Sequence, residues 1–256
     1  MPEPTNVPPY VDGHGLLAGK TVLVTAAAGT GIGFSVAQRC VEEGARVVIS
    51  DKHERRLAES AEQLGVPGIP CDVTEESTVE ALFAAATDEL GAIDVLVNNA
   101  GLGGTAELHE MTDDQWGRVL DVTLNGTFRC TRAALNHMYA NGRGVIVNNA
   151  SVIGWRAQAG QAHYAAAKAG VMALTRCTAM EVAEHGVRVN AVSPSLATHE
   201  FLAKVTPQGL LDQLTAREAF GRGAEPWEVA NVIVFLASDL ASYMTGECVA
   251  VSSQHP

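Results

Sequence analysis

Short runs of apolar, often β-branched residues alternate along the chain with longer stretches in which apolar positions recur every three or four residues. The first pattern is typical of strands and the second of helices. The predicted strands are Thr21–Thr25, Arg46–Ser50, Gly68–Asp72, Ile93–Asn98, Gly144–Asn149, Val187–Val192 and Glu247–Val251. The predicted helices are a stretch ending at about Glu43, His53–Leu64, Glu75–Leu90, Thr112–Tyr139, Ala162–Glu184 and Pro226–Ala237.

Strands that alternate with helices in this way run parallel, with the helices as crossovers between them. The pattern therefore predicts an α/β fold: a single Rossmann-like, doubly wound parallel sheet of about seven strands with helices on both faces. Residues 1–19 carry four prolines and predict a loose or partly docked N-terminal arm. Residues 20–256 form the predicted domain, and within it residues 196–217 break the alternation and are expected to form a lid over the substrate.

Composition and charge restrict the classes of function. Apolar residues make up 47% of the 256 residues and charged residues 18%, which indicates a globular protein. The formal net charge of -12 argues against nucleic-acid binding. The chain has neither the long apolar run of a membrane span nor a secretory signal at its start. Its five cysteines are scattered without zinc-ligand spacing, so we expect a cytoplasmic protein with free thiols and no metal.

A glycine-rich turn follows the first predicted strand and opens the first predicted helix. It contains Gly29-Thr30-Gly31-Ile32-Gly33, and glycines at such a junction let the backbone approach a pyrophosphate at the helix N-terminus. Asp51 closes the second strand, where a carboxylate can accept hydrogen bonds from the adenine ribose and would repel a 2′-phosphate. We therefore expect NAD as cofactor and consider NADP less favoured, although Lys52, Arg55 and Arg56 follow directly and would tolerate a phosphate.

Tyr164 and Lys168 are four residues apart in an alanine-rich run, so on a helix they share one face. A packed tyrosine beside a solvated lysine would give the same spacing. Hydride transfer to or from a nicotinamide also requires a proton to be moved at the substrate oxygen. An ammonium group about 4 Å away would bring the phenol pKa from about 10 to near 7. Ser151, at the end of a predicted strand, would hold the substrate oxygen beside the phenol.

These motifs resemble the short-chain dehydrogenase/reductase family in order and spacing. Two further runs share in the resemblance, Asn98-Asn99-Ala100-Gly101 after the fourth strand and Asn190-Ala191-Val192-x-Pro194 in the sixth. The resemblance extends from Leu17 to about Val251. It implies a nicotinamide-dependent enzyme that converts a secondary alcohol or a ketone.

The resemblance also implies roles for single residues. Tyr164 would be the general acid/base, Lys168 would bind the nicotinamide ribose, and Ser151 would bond the substrate oxygen. Asp72 and Val73 would lie beside the adenine. The other residues implied near the cofactor are Asn99, close to a ribose, and Ala100, Gly101 and Pro194.

The chain departs from the family pattern at several positions. Thr123 occupies the place of an asparagine that helps many members to form a proton relay, and Asn125 lies about 200° round the helix, so we expect activity with a non-standard relay. Ser195 replaces a glycine and His199 a threonine-like position, which affects the expected contacts to the nicotinamide carboxamide. The chain ends Val251-Ser-Ser-Gln-His-Pro256 where Asp-Gly-Gly is common, which affects the expected tetramer interface.

Candidate substrate contacts are Trp155, His199, Phe201 and Leu202, for which packing of a lid helix is an equally good explanation. The run from Gly154 to Gly160 and the C-terminal residues further resemble an actinobacterial group within the family. That group includes enzymes of steroid ring breakdown that act on a hydroxylated, methylated hexahydroindanone carboxyl-CoA thioester. The resemblance implies an apolar ring or acyl-CoA substrate and a homodimer or homotetramer.

Two alternatives stay open. The first is a 3-oxoacyl-thioester reductase of fatty-acid synthesis, although an acidic enzyme gains no long-range attraction toward an acidic carrier protein. The second is a non-catalytic, dinucleotide-binding regulator. A regulator has no need of Ser151, Tyr164 and Lys168 together, so this set favours an enzyme.

Overall fold

The structure is a computed structural model that describes residues 7–198, 202 and 208–254. Its strands are β1 (Thr21–Val24), β2 (Arg46–Asp51), β3 (Gly68–Pro70), β4 (Val95–Asn98), β5 (Gly144–Asn149), β6 (Val187–Pro194) and β7 (Cys248–Val251). Its helices are α1 (Ile32–Glu42), α2 (Glu54–Leu64), α3 (Glu76–Leu90), α4 (Asp113–Leu120), α5 (Gly126–Asn141), α6 (Ala162–Val182), α7 (Gln208–Thr215) and α8 (Pro226–Ala237).

All seven strands run parallel in one sheet, in the order β3-β2-β1-β4-β5-β6-β7. From β1 the chain adds β2 and then β3 on one side, and it then returns to place β4 on the other side of β1. This reversal opens a crevice at the carboxyl ends of β1 and β4, the usual ligand position in such sheets. The predicted α/β, doubly wound fold is confirmed.

Side chains from both faces of the sheet are buried, which explains why its strands are nearly continuous apolar runs. On one face Val24 packs in a core with Val36 of α1 and Ile233 of α8. On the other face Leu23 packs in a core with Phe83 of α3. Burial of one such side chain stabilises the fold by about 1.5–3 kcal/mol, so the two cores fix the strand ends that carry the site.

The helix predicted over Thr112–Tyr139 is present from Asp113 to Asn141, but it is not α-helical throughout. Thr112 caps α4 by a reciprocal pair of hydrogen bonds with Gln115, and a π-helical turn, Asp121–Asn125, separates α4 from α5. The extra residue of a π turn leaves the apolar pattern within each flanking segment intact and only shifts its phase between them, so the pattern still predicts one helix. Isolated π turns within helices are frequent at functional sites, and this turn carries Thr123.

The described part of the N-terminal arm packs on α1 and α8. The ring centroids of Tyr10 and Trp227 are 5.4 Å apart in an edge-on arrangement. The Tyr10 hydroxyl donates to Glu42 Oε2 at 2.7 Å, and Arg39 Nη1 donates to the main-chain oxygen of Val11 at 2.7 Å. Among the described residues, no helix has the length and apolar character needed to cross a membrane.

Candidate active site

The glycine-rich turn lies between β1 and α1 at the crevice. Gly29 has φ +97°, a conformation that favours glycine, and its N–H donates to Ser60 Oγ of α2 at 3.0 Å. Gly31 begins α1 without a hydrogen bond from a capping side chain among the described residues. The N-terminus of α1, with Thr30 exposed just before it and Ile32 and Gly33 in its first turn, is therefore open to an anion.

Gly33 is the glycine that the packing of the turn requires. A Cβ atom at this position would lie 2.4 Å from the main-chain oxygen of Ala26 and 2.4 Å from Asn99 Nδ2. Asn99 Nδ2 itself donates to that Ala26 oxygen at 2.9 Å, and the Asn99 N–H donates to Thr25 Oγ1 at 3.0 Å. The Ala100 N–H also donates to Thr25 Oγ1, at 3.3 Å. The residues after β4 thus pack against the glycine-rich turn and hold it by hydrogen bonds.

Asp51 lies at the end of β2 and turns its carboxylate toward the glycine-rich turn. Its Oδ2 accepts from the Ala28 N–H at 3.3 Å, and its Oδ1 accepts from the His53 N–H at 2.9 Å. Lys52, which lies 3.9 Å from Asp72, and Arg55, which lies 3.7 Å from Glu59, form only loose, exposed ion pairs. The charged group that is bonded to the main chain of the turn is the Asp51 carboxylate.

Asp72 and Val73 form the next wall of the crevice, between β3 and α3. Asp72 Oδ1 accepts from the Thr74 N–H at 3.0 Å and from the Thr74 hydroxyl at 2.8 Å. Burial raises the pKa of Asp72, but these bonds outweigh burial and the pKa lies below its usual value. Val73 packs against Gly126, and its main-chain oxygen accepts from Arg129 Nη1 at 3.2 Å.

Ser151 and Tyr164 are brought together at the carboxyl edge of the sheet. Ser151 lies two residues after the end of β5 and caps a short 3-10 turn, Val152–Gly154, whose Ile153 N–H donates to Ser151 Oγ at 3.3 Å. Tyr164 lies in the first turn of α6. Burial raises the pKa of Tyr164 above its usual value of 10.0, and a hydrogen bond with Ser151 opposes part of this effect.

Lys168 lies one turn further along α6 and is only 3% exposed. Its Nζ donates to the main-chain oxygen of Asn149 at 2.5 Å and lies 5.6 Å from the centroid of the Tyr164 ring. Burial lowers the pKa of Lys168 to about 8. The expectation that the lysine brings the phenol pKa near 7 is therefore wrong for this structure, because burial of the phenol has the larger effect.

Asn149 links Asn99, beside the glycine-rich turn, to Lys168 on α6. The sequence alone did not predict this role. Its Nδ2 donates to Asn99 Oδ1 at 2.9 Å, while its main-chain oxygen accepts from Lys168. Its Oδ1 is buried and has no hydrogen-bond partner among the described residues. In the sequence, the only indication of this role was a polar residue at the end of a strand that is otherwise mainly apolar.

Thr123 lies near Lys168, and its hydroxyl is bonded to the loop after β4. The hydroxyl accepts from the Leu102 N–H at 3.0 Å and donates to the Leu102 oxygen at 3.3 Å, so its one proton is already engaged. Both side chains border Gly101, because a Cβ atom at Gly101 would lie 3.4 Å from Lys168 Nζ and 3.9 Å from Thr123 Oγ1. Asn125 bonds Asp121 on an exposed surface, which agrees with its expected orientation away from the site.

Of the predicted substrate contacts, the structure describes Trp155, in the loop after Ser151, and Leu202. Trp155 is 51% exposed, and Leu202 is half-buried. Pro194 ends β6, and Ser195 Oγ donates to Glu218 Oε2 at 3.0 Å. The predicted contacts His199 and Phe201 lie outside the described residues.

The described residues fit a dinucleotide in two respects. The open N-terminus of α1 and the side-chain-free main chain at Gly29 and Gly31 suit a pyrophosphate close to the backbone. The buried, unpaired Oδ1 of Asn149 suits a hydroxyl donor of a bound group, since an unsatisfied buried acceptor is otherwise costly.

Known proteins resemble this chain over nearly its whole length. The model of a family described as Enoyl-(Acyl carrier protein) reductase matches residues 26–253. A Mycobacterium tuberculosis protein, (5R,7aS)-5-hydroxy-7a-methyl-1-oxo-2,3,5,6,7,7a-hexahydro-1H-indene-carboxyl-CoA reductase, is 62% identical over 256 residues, covering 97% of this chain and 98% of the relative. Cis-4-hydroxycyclohexanecarboxylate dehydrogenase from Sinomonas cyclohexanicum is 43% identical over 237 residues, covering 91% and 95%. The crystal structure of a short chain dehydrogenase from Mycobacterium smegmatis matches with a TM-score of 0.88 at 56% identity, covering 99% of this chain and all of that chain.

Proposed function

Because the chain belongs to the short-chain dehydrogenase/reductase family and is an oxidoreductase, we propose that it transfers a hydride between a nicotinamide cofactor and a ketone or secondary alcohol on an apolar, CoA-linked ring. The observation that carries this proposal is that Ser151 lies close enough to Tyr164 to affect its pKa, with Lys168 buried one turn further along the same helix. The ring and the CoA thioester are supported by the name of the relative that is 62% identical.

The chain's own residues would handle the proton. A bound nicotinamide supplies or accepts the hydride. Ser151 holds the substrate oxygen beside the Tyr164 hydroxyl. Because burial raises the pKa of Tyr164, the phenol keeps its proton at neutral pH and can donate it to a ketone oxygen as negative charge develops there. The free protein is therefore suited to the reduction direction.

Lys168 would stabilise the phenolate that proton donation leaves behind. With a pKa of about 8 it is mostly protonated at neutral pH, and its Nζ lies on the same side of α6 as the Tyr164 ring. A positive charge in a buried site interacts more strongly with a nearby anion than it would in water. Its bond to the Asn149 oxygen keeps the ammonium in place.

We propose NAD as the cofactor. The support is Asp51, whose carboxylate lies against the Ala28 N–H at the turn and would repel a 2′-phosphate. The neighbouring basic residues give NADP some support, but Lys52 and Arg55 already face carboxylates. Asp72, Val73, Asn99, Ala100, Gly101 and Pro194 would complete the cofactor crevice.

The substrate-side contacts, the assembly and the location are part of the same proposal. Trp155 and Leu202 would contact the apolar ring. Exposed apolar side chains on α4, α5 and α6, namely Trp116, Phe128, Tyr139 and Met180, would pack against a second copy and form a homodimer or homotetramer. An exposed free thiol at Cys177 fits a reducing cytoplasm.

The test uses purified protein with NADH or NADPH and a panel of ring-ketone CoA thioesters, hydroxysteroids and 3-oxoacyl thioesters, and follows oxidation of the reduced cofactor by absorbance. We expect turnover of a ring ketone, and a loss of about 100-fold or more in kcat for Tyr164→Phe. Tyr243→Phe is the matched control, because Tyr243 is fully exposed. Unchanged turnover in Tyr164→Phe would contradict the mechanism. Preference for a 3-oxoacyl thioester would favour the fatty-acid reductase, and cofactor binding without turnover of any compound would favour a regulator.

A further inference from the structure

Glu218 is a buried carboxylate between α7 and α8, outside the proton-transfer site. It is only 4% exposed. Its oxygens accept from Ser195 Oγ at 3.0 Å and the Leu196 N–H at 3.3 Å, both at the start of the lid. They also accept from Ser253 Oγ at 2.8 Å and Gln254 Nε2 at 2.9 Å, both in the C-terminal segment.

All four groups that face Glu218 are donors, which is the arrangement that an ionised carboxylate needs when it is taken out of water. Ser195 and the residues after Val251 are positions at which the chain departs from its family pattern. The structure relates the two departures, because both supply donors to the same carboxylate.

Main-chain bonds hold the C-terminal segment in register beside Glu218. The Ala219 N–H donates to the Ser253 oxygen at 2.8 Å, and the Ser195 N–H donates to the Val251 oxygen at 3.1 Å. Glu218 and Gln254 also form an antiparallel bridge. The side chain of Gln254 is therefore directed by its backbone toward the buried carboxylate.

Gln254 then connects this carboxylate to the loop that follows Ser151. Its Nε2 donates to Glu218, while its Oε1 accepts from Arg156 Nη1. A primary amide has both a donor and an acceptor, so it can bridge an anion and a cation that do not touch each other. Arg156 follows Trp155, and its N–H donates to the Val152 oxygen at 3.0 Å. The loop between Ser151 and Tyr164 is thus fastened to the start of the lid.

We propose that Glu218 and Gln254 are positioning residues that hold residues 152–160 against the start of the lid, so that the C-terminal segment sets the KM for the substrate and leaves cofactor binding unchanged. The effect on KM rests on the proposed function. Among the described residues, the glycine-rich turn, Asp51 and Asp72, which would hold the pyrophosphate and the adenosine, share none of these hydrogen bonds.

The test compares Gln254→Leu, which removes both bonds of the bridge, with Gln63→Leu, which changes an exposed glutamine of α2. Hydrogen exchange measures the main-chain amides of residues 152–160, NADH fluorescence measures the dissociation constant of the cofactor, and turnover of a ring ketone gives kcat and KM. We expect faster exchange in residues 152–160 and a KM raised about 10-fold. We expect the NADH dissociation constant to be unchanged, and Gln63→Leu to behave as wild type.

Two further variants separate positioning from general stability. Gln254→Glu retains an acceptor for Arg156 but brings a second carboxylate against Glu218. We therefore expect the main-chain amides of residues 152–160 to exchange faster in this variant than in Gln254→Leu. Arg156→Met combined with Gln254→Leu should be no worse than either change alone, because both remove the same bridge. Unchanged exchange in Gln254→Leu, or exchange that increases equally over the whole chain, would overturn the proposal. Absence of turnover in the wild type would contradict the proposed function alone, since the exchange measurement still decides the positioning role.

Discussion

The buried charge of Lys168 gives a specific dependence of stability on pH. Burial lowers the pKa of Lys168 from 10.5 to about 8, whereas a lysine in the unfolded chain keeps the usual value. Between these two pH values the unfolded state binds more protons than the folded state, so the free energy of unfolding rises with pH. The difference between the two pKa values corresponds to about 3 kcal/mol, which destabilises the fold below pH 8 and disappears above pH 10.5.

Lys168→Met removes the charge and keeps an unbranched side chain in the same space. Urea unfolding of wild type and variant, measured from pH 7 to pH 10.5, should show the wild type gaining about 3 kcal/mol relative to the variant. Other titrating groups are common to both proteins and cancel in this comparison. The variant also lacks the bond to the Asn149 oxygen, so the prediction concerns how the difference in stability changes with pH and not its absolute value.

The control for loss of a lysine charge is Lys52→Met, because Lys52 is exposed. A difference between wild type and Lys168→Met that stays constant over this pH range would show that the Lys168 ammonium is not desolvated. The account of Lys168 as a buried cation would then be wrong. Activity should fall in Lys168→Met under every condition, so any stability it gains below pH 8 comes at the expense of function.

Three further predictions concern the cofactor crevice. Asp51→Ala should raise the ratio of kcat/KM for NADPH to that for NADH about 10-fold, and an unchanged ratio would contradict the role of the carboxylate. Gly33→Ala should weaken NADH binding by roughly 100-fold, because its Cβ would overlap backbone, whereas Gly117→Ala, where a Cβ meets nothing within 4 Å, is the control and should bind normally. Asn149→Leu should weaken NADH binding about 10-fold by removing the bond to Asn99, and normal binding in this variant would show that the bond is dispensable.

The order of apolar runs in the sequence was sufficient to predict the fold. Parallel strands are buried on both faces, so each one is a readable apolar run, and the polar residues that end such runs must gather at one edge of the sheet. That reasoning placed Ser151 and Asp51 correctly at strand ends. It also placed the glycine-rich turn between the first strand and the first helix, where the structure leaves no room for a Cβ atom at Gly33.

The features that could not be predicted depend on contacts between distant segments. The π turn at Thr123 adds one residue without changing the apolar pattern, and the Thr123 hydroxyl is occupied by Leu102 of another loop. The direction in which the pKa of Tyr164 shifts depends on how far the phenol is desolvated. The spacing of residues along a helix does not reveal this. Glu218 has a charge that suggests a surface position, and only the folded chain brings its donors together.

The two pKa values in the proton-transfer site together predict how activity depends on pH. Burial holds the pKa of Tyr164 above 10.0 and that of Lys168 at about 8, so with rising pH the lysine loses its proton before the phenol does. Reduction of a ketone needs the phenol protonated at the start and the ammonium charged as the phenolate forms. We therefore expect kcat/KM for reduction to fall as the pH rises through about 8, while the phenol is still protonated. A stopped-flow measurement at saturating NADH checks this, and a decline that begins only near pH 10 would show that the charge of Lys168 does not support the proton transfer.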